Sequence, residues 1–535
     1  MRWLTMGLGM AILGLASASG DETCSLKLRR LERQNARGED FIYRATMPQS
    51  FFSNVVAPKM SKGGTLSWGN QSYDEAFRRI VKKEPKYESK RPFRGVAKFG
   101  SQEFAFAMDA VEPALESGGK TADSKTANGK AIQLKKEQPV EPVDPEKAAM
   151  LRSLQYNRLY FDFNHNGDLC DDQVLEAMDV PQNRMSHWKD QSYIRFQFPR
   201  LDVTFESGGE KIASSFFVQG QAMVSPQFNY VSTSFNAAAY REGDIVVGGK
   251  KRRVVLIDFN SNGRLDDRTE IRTDIYPSDG RIFPQYGDVL LIDPKADRAA
   301  GSPYDATACQ GRHLVSKIIP IDGSYYHLAI SPAGDRLTLT PMNAPLGKVV
   351  HPNNTFSAII YGKQGFIKIQ GGKNEPIAVP EGQWTLLSYT LRWTPSVKDD
   401  GQNHGDDAKP VKDDVGPFGE FLAETVRAVF GVETTDHSKS ASVSAGATEK
   451  CKVVKVVQGG TTVLDFGPPF KPVVRSSSGQ DNDQLKCLVL ELTLVGSAGE
   501  VVTDMTINGQ RPPKPRWTIT DASQKVVDAG TFEYG

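Results

Sequence analysis

After Leu15 this 535-residue chain has no long apolar run. Nothing downstream therefore reads as a transmembrane helix, which needs about 20 consecutive apolar residues. A charge excess of one sign is missing as well. Sixty-five Lys and Arg stand against 64 Asp and Glu, for a net charge of +1 and a pI near 7.6, so neither nucleic acid nor an anionic membrane is expected as a partner. Cysteines are few: Cys24, Cys170, Cys309, Cys451 and Cys487. None forms a C-x-x-C pair, which excludes a zinc knuckle and a dithiol redox motif. The histidines (His165, His187, His313, His327, His351, His404, His437) are scattered without H-E-x-x-H or any zinc spacing. There is no G-x-S-x-G elbow, no Walker loop and no G-x-G-x-x-G after a strand. No catalytic constellation is visible, and the expectation is a protein that is not an enzyme. Glycoside hydrolysis needs only two carboxylates gathered by the fold. A carbohydrate-active enzyme or a sugar-binding accessory protein therefore stays as the alternative.

The beginning of the chain has the marks of an export signal. Arg2 supplies a positive start, Leu4 to Leu15 an apolar stretch too short to span a bilayer, and Ala16-Ser17-Ala18 a small-x-small cleavage pattern. Cleavage is expected after Ala18, with an uncleaved anchor helix as the alternative. Export permits disulfides. Cys451 with Cys487 is the first pair to test, two free thiols being the other reading. In 486–495, Leu488, Leu490, Leu492 and Leu494 fall on one strand face and Cys487 on the other, with Val489, Glu491 and Thr493.

Strand signals dominate. Residues 192–199, 366–370 and 385–393 alternate, and 254–257 (VVLI) is a short continuous apolar run. Turn signals recur at Gly248-Gly249, Asp322-Gly323, Gly371-Gly372 and Gly459-Gly460. The 48 Gly and 31 Pro suit many short strands joined by tight turns. Helical periodicity is confined to 420–430 and to the short segment 173–178. Trp384, Tyr389 and Trp393 read as sheet packing rather than as a sugar platform. Residues 116–147, 396–415 and 434–450 are polar and poor in aromatics, and read as flexible insertions in loops. The expected fold class is mostly β, with several β-sandwich or barrel-like domains in tandem and little helix. The boundaries expected are a signal peptide over 1–18, an N-terminal segment over 19–90, a β domain over 91–217 with the insertion 116–147, and a second over 218–345. A β-sandwich over 346–465 with the insertion 396–450 follows, then a C-terminal sandwich over 466–535.

The chemistry lies in two loops 96 residues apart. Residues 162–169 read DFNHNGDL and residues 258–265 read DFNSNGRL. Alternate side chains of a tight loop turn inward, so the oxygens of positions 1, 3 and 5 can meet at one centre, and Gly at position 6 permits the sharp turn. Calcium, a hard cation taking six to eight oxygens at about 2.3–2.6 Å, is the ion such a set fits. The expected ligands are Asp162, Asn164 and Asn166 with Asp168, Asp171 and Asp172 in the first loop. In the second they are Asp258, Asn260 and Asn262, the Arg264 carbonyl at position 7, and Asp266 and Asp267, with Glu270 also within reach. Cys170 at position 9 is a poor calcium ligand, so the second loop is the better site. Asn at positions 3 and 5 lowers the charge and places affinity in the extracellular range, on the order of 10⁻⁴–10⁻³ M. An Asx-rich turn that binds nothing uses the same residues. The spacing also hints at an internal duplication, with a local motif grafted onto two strands as the alternative.

These loops resemble the EF-hand-like calcium loops of dockerins and strand-loop D-x-D-x-D-G sites. They depart from a full EF-hand at position 12, which is Gln173 or Thr269 in place of a bidentate Glu. The stretch 356–386, ending in the turn Pro380-Glu381-Gly382-Gln383-Trp384-Thr385-Leu386, resembles prealbumin-like, carboxypeptidase-regulatory-like β-sandwich modules. The whole chain is similar in style to large exported bacterial proteins that pair such loops with β-rich modules and a Gly-Pro-Pro … Phe-Glu-Tyr-Gly ending. That whole-chain resemblance carries no established activity; the prealbumin-like modules are usually structural or adhesive, and a structural or binding protein of the cell envelope is the expectation. The chain is therefore expected to be exported (periplasmic, cell-surface or extracellular), to bind calcium at strand-end loops, and to meet an envelope glycan or protein.

Overall fold

Alternation in sequence becomes alternation in burial. Leu201–Ser207 hides every second residue and exposes the others, as a strand with one face on a core must. The same rule repeats along the computed structural model. It describes residues 20–32, 43, 46–54, 71–111, 150–151, 153–179, 186–188, 191–225, 229–272, 280–294, 311–352, 355–393, 440–480 and 486–534. Strand outweighs helix by 60% to 3%, so the chain is mostly β with several antiparallel sheets. The cleavage site, the insertion 116–147, the helix expected over 420–430 and Cys309 lie outside the described residues.

Three sheet pairs organise the chain. In the first, Gln49–Asn54, Asn229–Ala237, Glu210–Val224, Gln191–Gln197 and Ser186–Trp188 form one sheet, with Leu201–Ser207 also paired to Glu210–Val224. A second sheet of Phe93–Phe99, Gln102–Asp109, Arg158–Phe161 and Leu175–Glu176 shares its core. That core is built on phenylalanine: Phe99, Phe104, Phe106, Phe161, Phe205, Phe216 and Phe235 are all buried within it. Phe99 and Phe216 stack with ring centroids 4.0 Å apart. Each such ring contributes about 1.5–3 kcal/mol on burial, so this core anchors whatever its loops carry. The helix Gln71–Ile80 covers the far side of the second sheet, where Phe77 packs with Ala105, Ala107, Tyr160 and Leu169.

In the second pair, Arg312–Leu314, Val289–Ile292, Lys250–Ile257, Ala239–Val247 and Lys27–Arg30 lie in that order. They face a sheet of Glu22–Ser25, Arg336–Pro341, Ser324–Ile330 and Ile318–Ile321. Lys250–Ile257 is buried on both sides at its end. Val254 and Leu256 meet the facing sheet, while Val255 and Ile257 join Phe217 and Ala238 of the first unit. Double burial is why its sequence runs VVLI instead of alternating. The third unit continues Thr355–Gly362 and Gly382–Trp393 through Ala441–Gly446 and Val501–Ile507 to the hairpin Lys471–Gln480 and Lys486–Val495.

Several expectations change. Residues 173–178 are not helical: Leu175–Glu176 is a strand paired with Arg158–Phe161, because two residues of apolar pattern satisfy either geometry. Part of the insertion expected up to 450 is core. Ala441–Gly446 is a strand with Ala441, Val443 and Ala445 buried, its alternation masked by serines. Glu210–Val224 runs straight through the boundary at 217/218. Pairing of Ala441–Gly446 with Val501–Ile507 carries one sheet across 465/466. The strands Glu22–Ser25 and Lys27–Arg30 complete the second pair instead of standing apart. Cys451 and Cys487 are free thiols, the first buried and the second part-exposed. Cys487 pairs across from Gly479, Leu488 from Ser478 and Leu490 from Ser476, so the leucines and the thiol do take opposite faces.

Candidate cation loops

Each acidic loop joins two adjacent antiparallel strands. The first leaves Arg158–Phe161 and returns as Leu175–Glu176. The second leaves Lys250–Ile257 and returns as Val289–Ile292. Their backbones follow one path. Position 4 is left-handed in each, at His165 (φ 58°) and Ser261 (φ 57°), and so is the glycine at position 6, with φ 83° at Gly167 and 82° at Gly263. Glycine is required twice over at position 6. Besides the positive φ, a Cβ would lie 2.4 Å from the Ile80 carbonyl oxygen in one loop and 2.4 Å from the Phe205 ring in the other.

The position-1 carboxylate organises both turns. Asp162 accepts the Asn166 and Gly167 N–H groups, each at 3.0 Å. Asp258 accepts those of Asn262 and Gly263 at 3.1 and 2.7 Å. The inner side chains then converge. In the second loop, Asp258 and the Asn260 Oδ1 (3.3 Å) share the Asn262 N–H. Asn260 and Asn262 both donate through Nδ2 to Asp267 Oδ2, at 3.0 and 2.5 Å. Asp258, Asn260, Asn262 and Asp267 are thus joined in one hydrogen-bonded network, and Asn262 Oδ1 also accepts the Arg264 N–H at 2.8 Å. A half-turn of either amide would aim its oxygen at Asp267 and withdraw it from the backbone N–H it accepts, that of Asn262 or Arg264. The first loop repeats this less completely. Asn164 Oδ1 accepts Asn166 N–H at 3.0 Å, and Asn166 Nδ2 donates to Asp171 Oδ2 at 2.8 Å.

Other expected ligands point elsewhere. Asp266 is held by the Arg264 guanidinium at 2.9 and 2.7 Å. Asp168 is held by Lys83 Nζ at 2.9 Å, which keeps its carboxyl below the usual range. Asp172 accepts the Phe163 N–H at 3.1 Å and so braces the loop from behind. The equivalent brace in the second loop is Asp288, which accepts Phe259 N–H at 3.2 Å and Asp267 N–H at 2.8 Å. Sequence reasoning missed Asp288 because the brace sits 9 residues on in the first loop and 29 in the second. The intervening chain includes the hairpin Glu270–Arg272 with Phe283–Gln285, to which Glu270 belongs. The one available signal was an Asp placed just before an apolar run, Asp288 before Val289–Ile292.

Electrostatically the second loop is the strained one. Asp258 is 1% exposed and Asp288 fully buried. Burial, with the neighbouring Asp267 charge, pushes Asp258 up to about 7 against the pull of the Gly263 and Asn262 N–H groups. Burial, then the Asp258 and Asp267 charges, raises Asp288 well above the carboxylate range. Among the described residues neither carries an ion pair. Among those residues no three His, Cys, Asp or Glu side chains gather closely enough to hold one metal. A cation here would rest on two carboxylates, Asp258 and Asp267, completed by amide and main-chain oxygens. That donor set fits calcium and does not fit zinc.

Two of the aromatics read as sheet packing lie in the third unit's core. Trp384 and Tyr389 are buried; Trp384 Nε1 donates to the Pro380 carbonyl at 2.9 Å and Tyr389 to Glu500 at 2.9 Å. Cavities of about 40 Å³ beside His313 and Phe366 and about 20 Å³ beside Cys451 are present in the described residues. No described helix is long and apolar enough to cross a membrane. No protein-family model, no curated protein and no solved structure matches this chain.

Proposed function

We propose that this chain is an exported structural or adhesion-type binding protein of the cell envelope, in which calcium at the second loop stiffens a strand end. The observation that supports it is the hydrogen-bonded cluster of Asp258, Asn260, Asn262 and Asp267, whose central carboxylate, Asp258, is buried without an ionic partner among the described residues. A buried carboxylate without a countercharge is costly, and an ion bound there offsets that cost. Few formal charges mean weak binding, useful only where calcium is plentiful, as outside a cell. Binding to the folded state alone adds RT ln(1 + [L]/Kd), about 1 kcal/mol when calcium is a few-fold above Kd.

The first loop contributes order rather than binding. Lys82 and Lys83 already hold its Asn166 carbonyl and Asp168 carboxylate, each with a single ammonium at 2.8 and 2.9 Å. Isothermal calorimetry tests the reading. One calcium per chain with millimolar-range affinity, lost in Asp258→Ala and kept in Asp162→Ala, is expected. No heat at millimolar calcium would remove the proposal.

A further inference from the structure

Three sheet edges meet at one cavity, remote from both acidic loops. Arg312–Leu314 is the edge strand of one sheet of the second pair and Ile318–Ile321 of the other, while Gly365–Gly372 is the outer strand of the third unit's sheet. Two contacts fix the joint: Phe366 N–H donates to Ser316 Oγ at 2.7 Å, and Lys317 Nζ to the Lys363 carbonyl at 3.1 Å. The cavity of about 40 Å³ lies beside them, with room for about three waters. Ile319, Ile359 and Phe366 give it apolar walls, and its charged or titratable members are all basic: Arg312, His313 and Lys368. No acidic residue lines it among the described residues. Arg312 sets its guanidinium over the Phe259 ring, 5.6 Å from the centroid, and Phe259 is not part of the lining. His313 and Lys368 are therefore the groups left to meet a ligand.

His313 is the side chain that needs explaining. Protein packs round it closely enough, with the Lys368 charge nearby, to push its imidazole down to about 4. Part of its surface nevertheless stays accessible, and among the described residues nothing hydrogen-bonds its ring nitrogens. The other enclosed histidine, His351, turns Nε2 to the Phe466 carbonyl at 3.0 Å. A polar group enclosed by protein without a partner is costly, and native structures rarely keep one unmet.

We infer that this cavity binds a small monocarboxylate, whose carboxylate accepts from the His313 ring and the Lys368 ammonium and whose tail lies on Phe366, Ile359 and Ile319. Charge selects the head group: a cation would meet Lys368 and no carboxylate, whereas an anion gains a charge-assisted hydrogen bond. Neutral imidazole still has one N–H to give. Size selects the tail, about one or two carbons in room for three waters. Because the walls come from two units, such a ligand also braces the joint between them.

Calorimetry on the full-length protein at pH 7, with propionate and its neutral isostere propionamide as probes, tests this. One propionate per chain is expected, with propionamide bound about tenfold more weakly or not at all, the scale of a hydrogen bond to a charged group. Lys368→Met keeps the stem and removes the charge, and should erase the difference between the two probes. His313→Phe should weaken propionate several-fold. Melting curves without ligand report whether each variant is folded. Absence of propionate binding by the native sequence, or equal binding of both probes, overturns the assignment whether or not the variants fold. Undiminished propionate binding in both folded variants overturns it as well.

Discussion

The two acidic loops share a backbone and differ in what surrounds it. The first sits at the surface, with Asn164, His165 and Asn166 exposed and its outer oxygens met by Lys82 and Lys83. The second is wedged between two sheet pairs, with Asp258, Ser261 and Asp288 buried and no cationic side chain among its described partners at Asp258. One eight-residue pattern therefore buries its position-1 carboxylate in both places, Asp162 at 2% and Asp258 at 1% exposure; the second loop adds the buried Asp288 and sets the Arg264 guanidinium 3.9 Å from Asp267. The motif fixes the turn. On the proposed reading, the second carboxylate buried beside it, Asp288, is what gives the second turn a use for an ion.

The largest effects should come from removing the carboxylates that organise the turns. Asp258→Ala and Asp162→Ala each strand one buried backbone N–H, that of Gly263 or Gly167, while the Asn262 or Asn166 N–H keeps the Asn260 or Asn164 Oδ1. Both should lower stability by about 1–3 kcal/mol in denaturant titrations. Only the first should abolish the calcium increment, and equal behaviour toward calcium would break the distinction. The braces should differ more. Asp288→Ala loses one buried and one part-buried acceptance and should cost about 2–3 kcal/mol, whereas Asp172→Ala loses one part-buried bond and should cost about 1. Paired melting curves check this.

Acid supplies a control that is remote from both loops. His351 is buried between Phe356 and Phe466, its Nε2 3.0 Å from the Phe466 carbonyl. Burial lowers it from 6.5 to about 4, against that hydrogen bond. The unfolded chain takes up the proton first, so this contribution is complete above pH 6.5. It is lost as pH falls toward 4, by up to about 1.4 kcal/mol per pH unit. Urea titrations between pH 7 and 4.5 should show that loss as the difference between the native sequence and His351→Phe, because the raised Asp258 and Asp288 shift stability the opposite way in both. The smallest effect is calcium's own: about 1 kcal/mol at a few-fold excess over Kd, seen as a melting temperature that falls with EGTA. The fall should survive in Asp162→Ala.

Much of this was legible in the sequence. The turns at 162–169 and 258–265 announce themselves by Asp at position 1 and Gly at 6, and the strands beside them by VVLI and by alternation. What was hidden depends on distance or on weak pattern. Asp288 reaches its loop only because Val289–Ile292 pairs with Lys250–Ile257, a long-range fact that no local spacing records. Asp266 looked like a ligand until the fold gave it Arg264. The strand Ala441–Gly446 hid because small residues and serines alternate with little hydrophobic contrast, and Leu175–Glu176 was too short for its period to be read.

The most direct measurement is anomalous scattering from a crystal of the full-length protein grown with millimolar terbium as a calcium substitute. A single peak among Asp258, Asn260, Asn262 and Asp267, with none at Asp162, is the expected result. A peak at the first loop alone, or density-free carboxylates at both, would contradict the claim that burial without a countercharge is what makes the second loop a cation site.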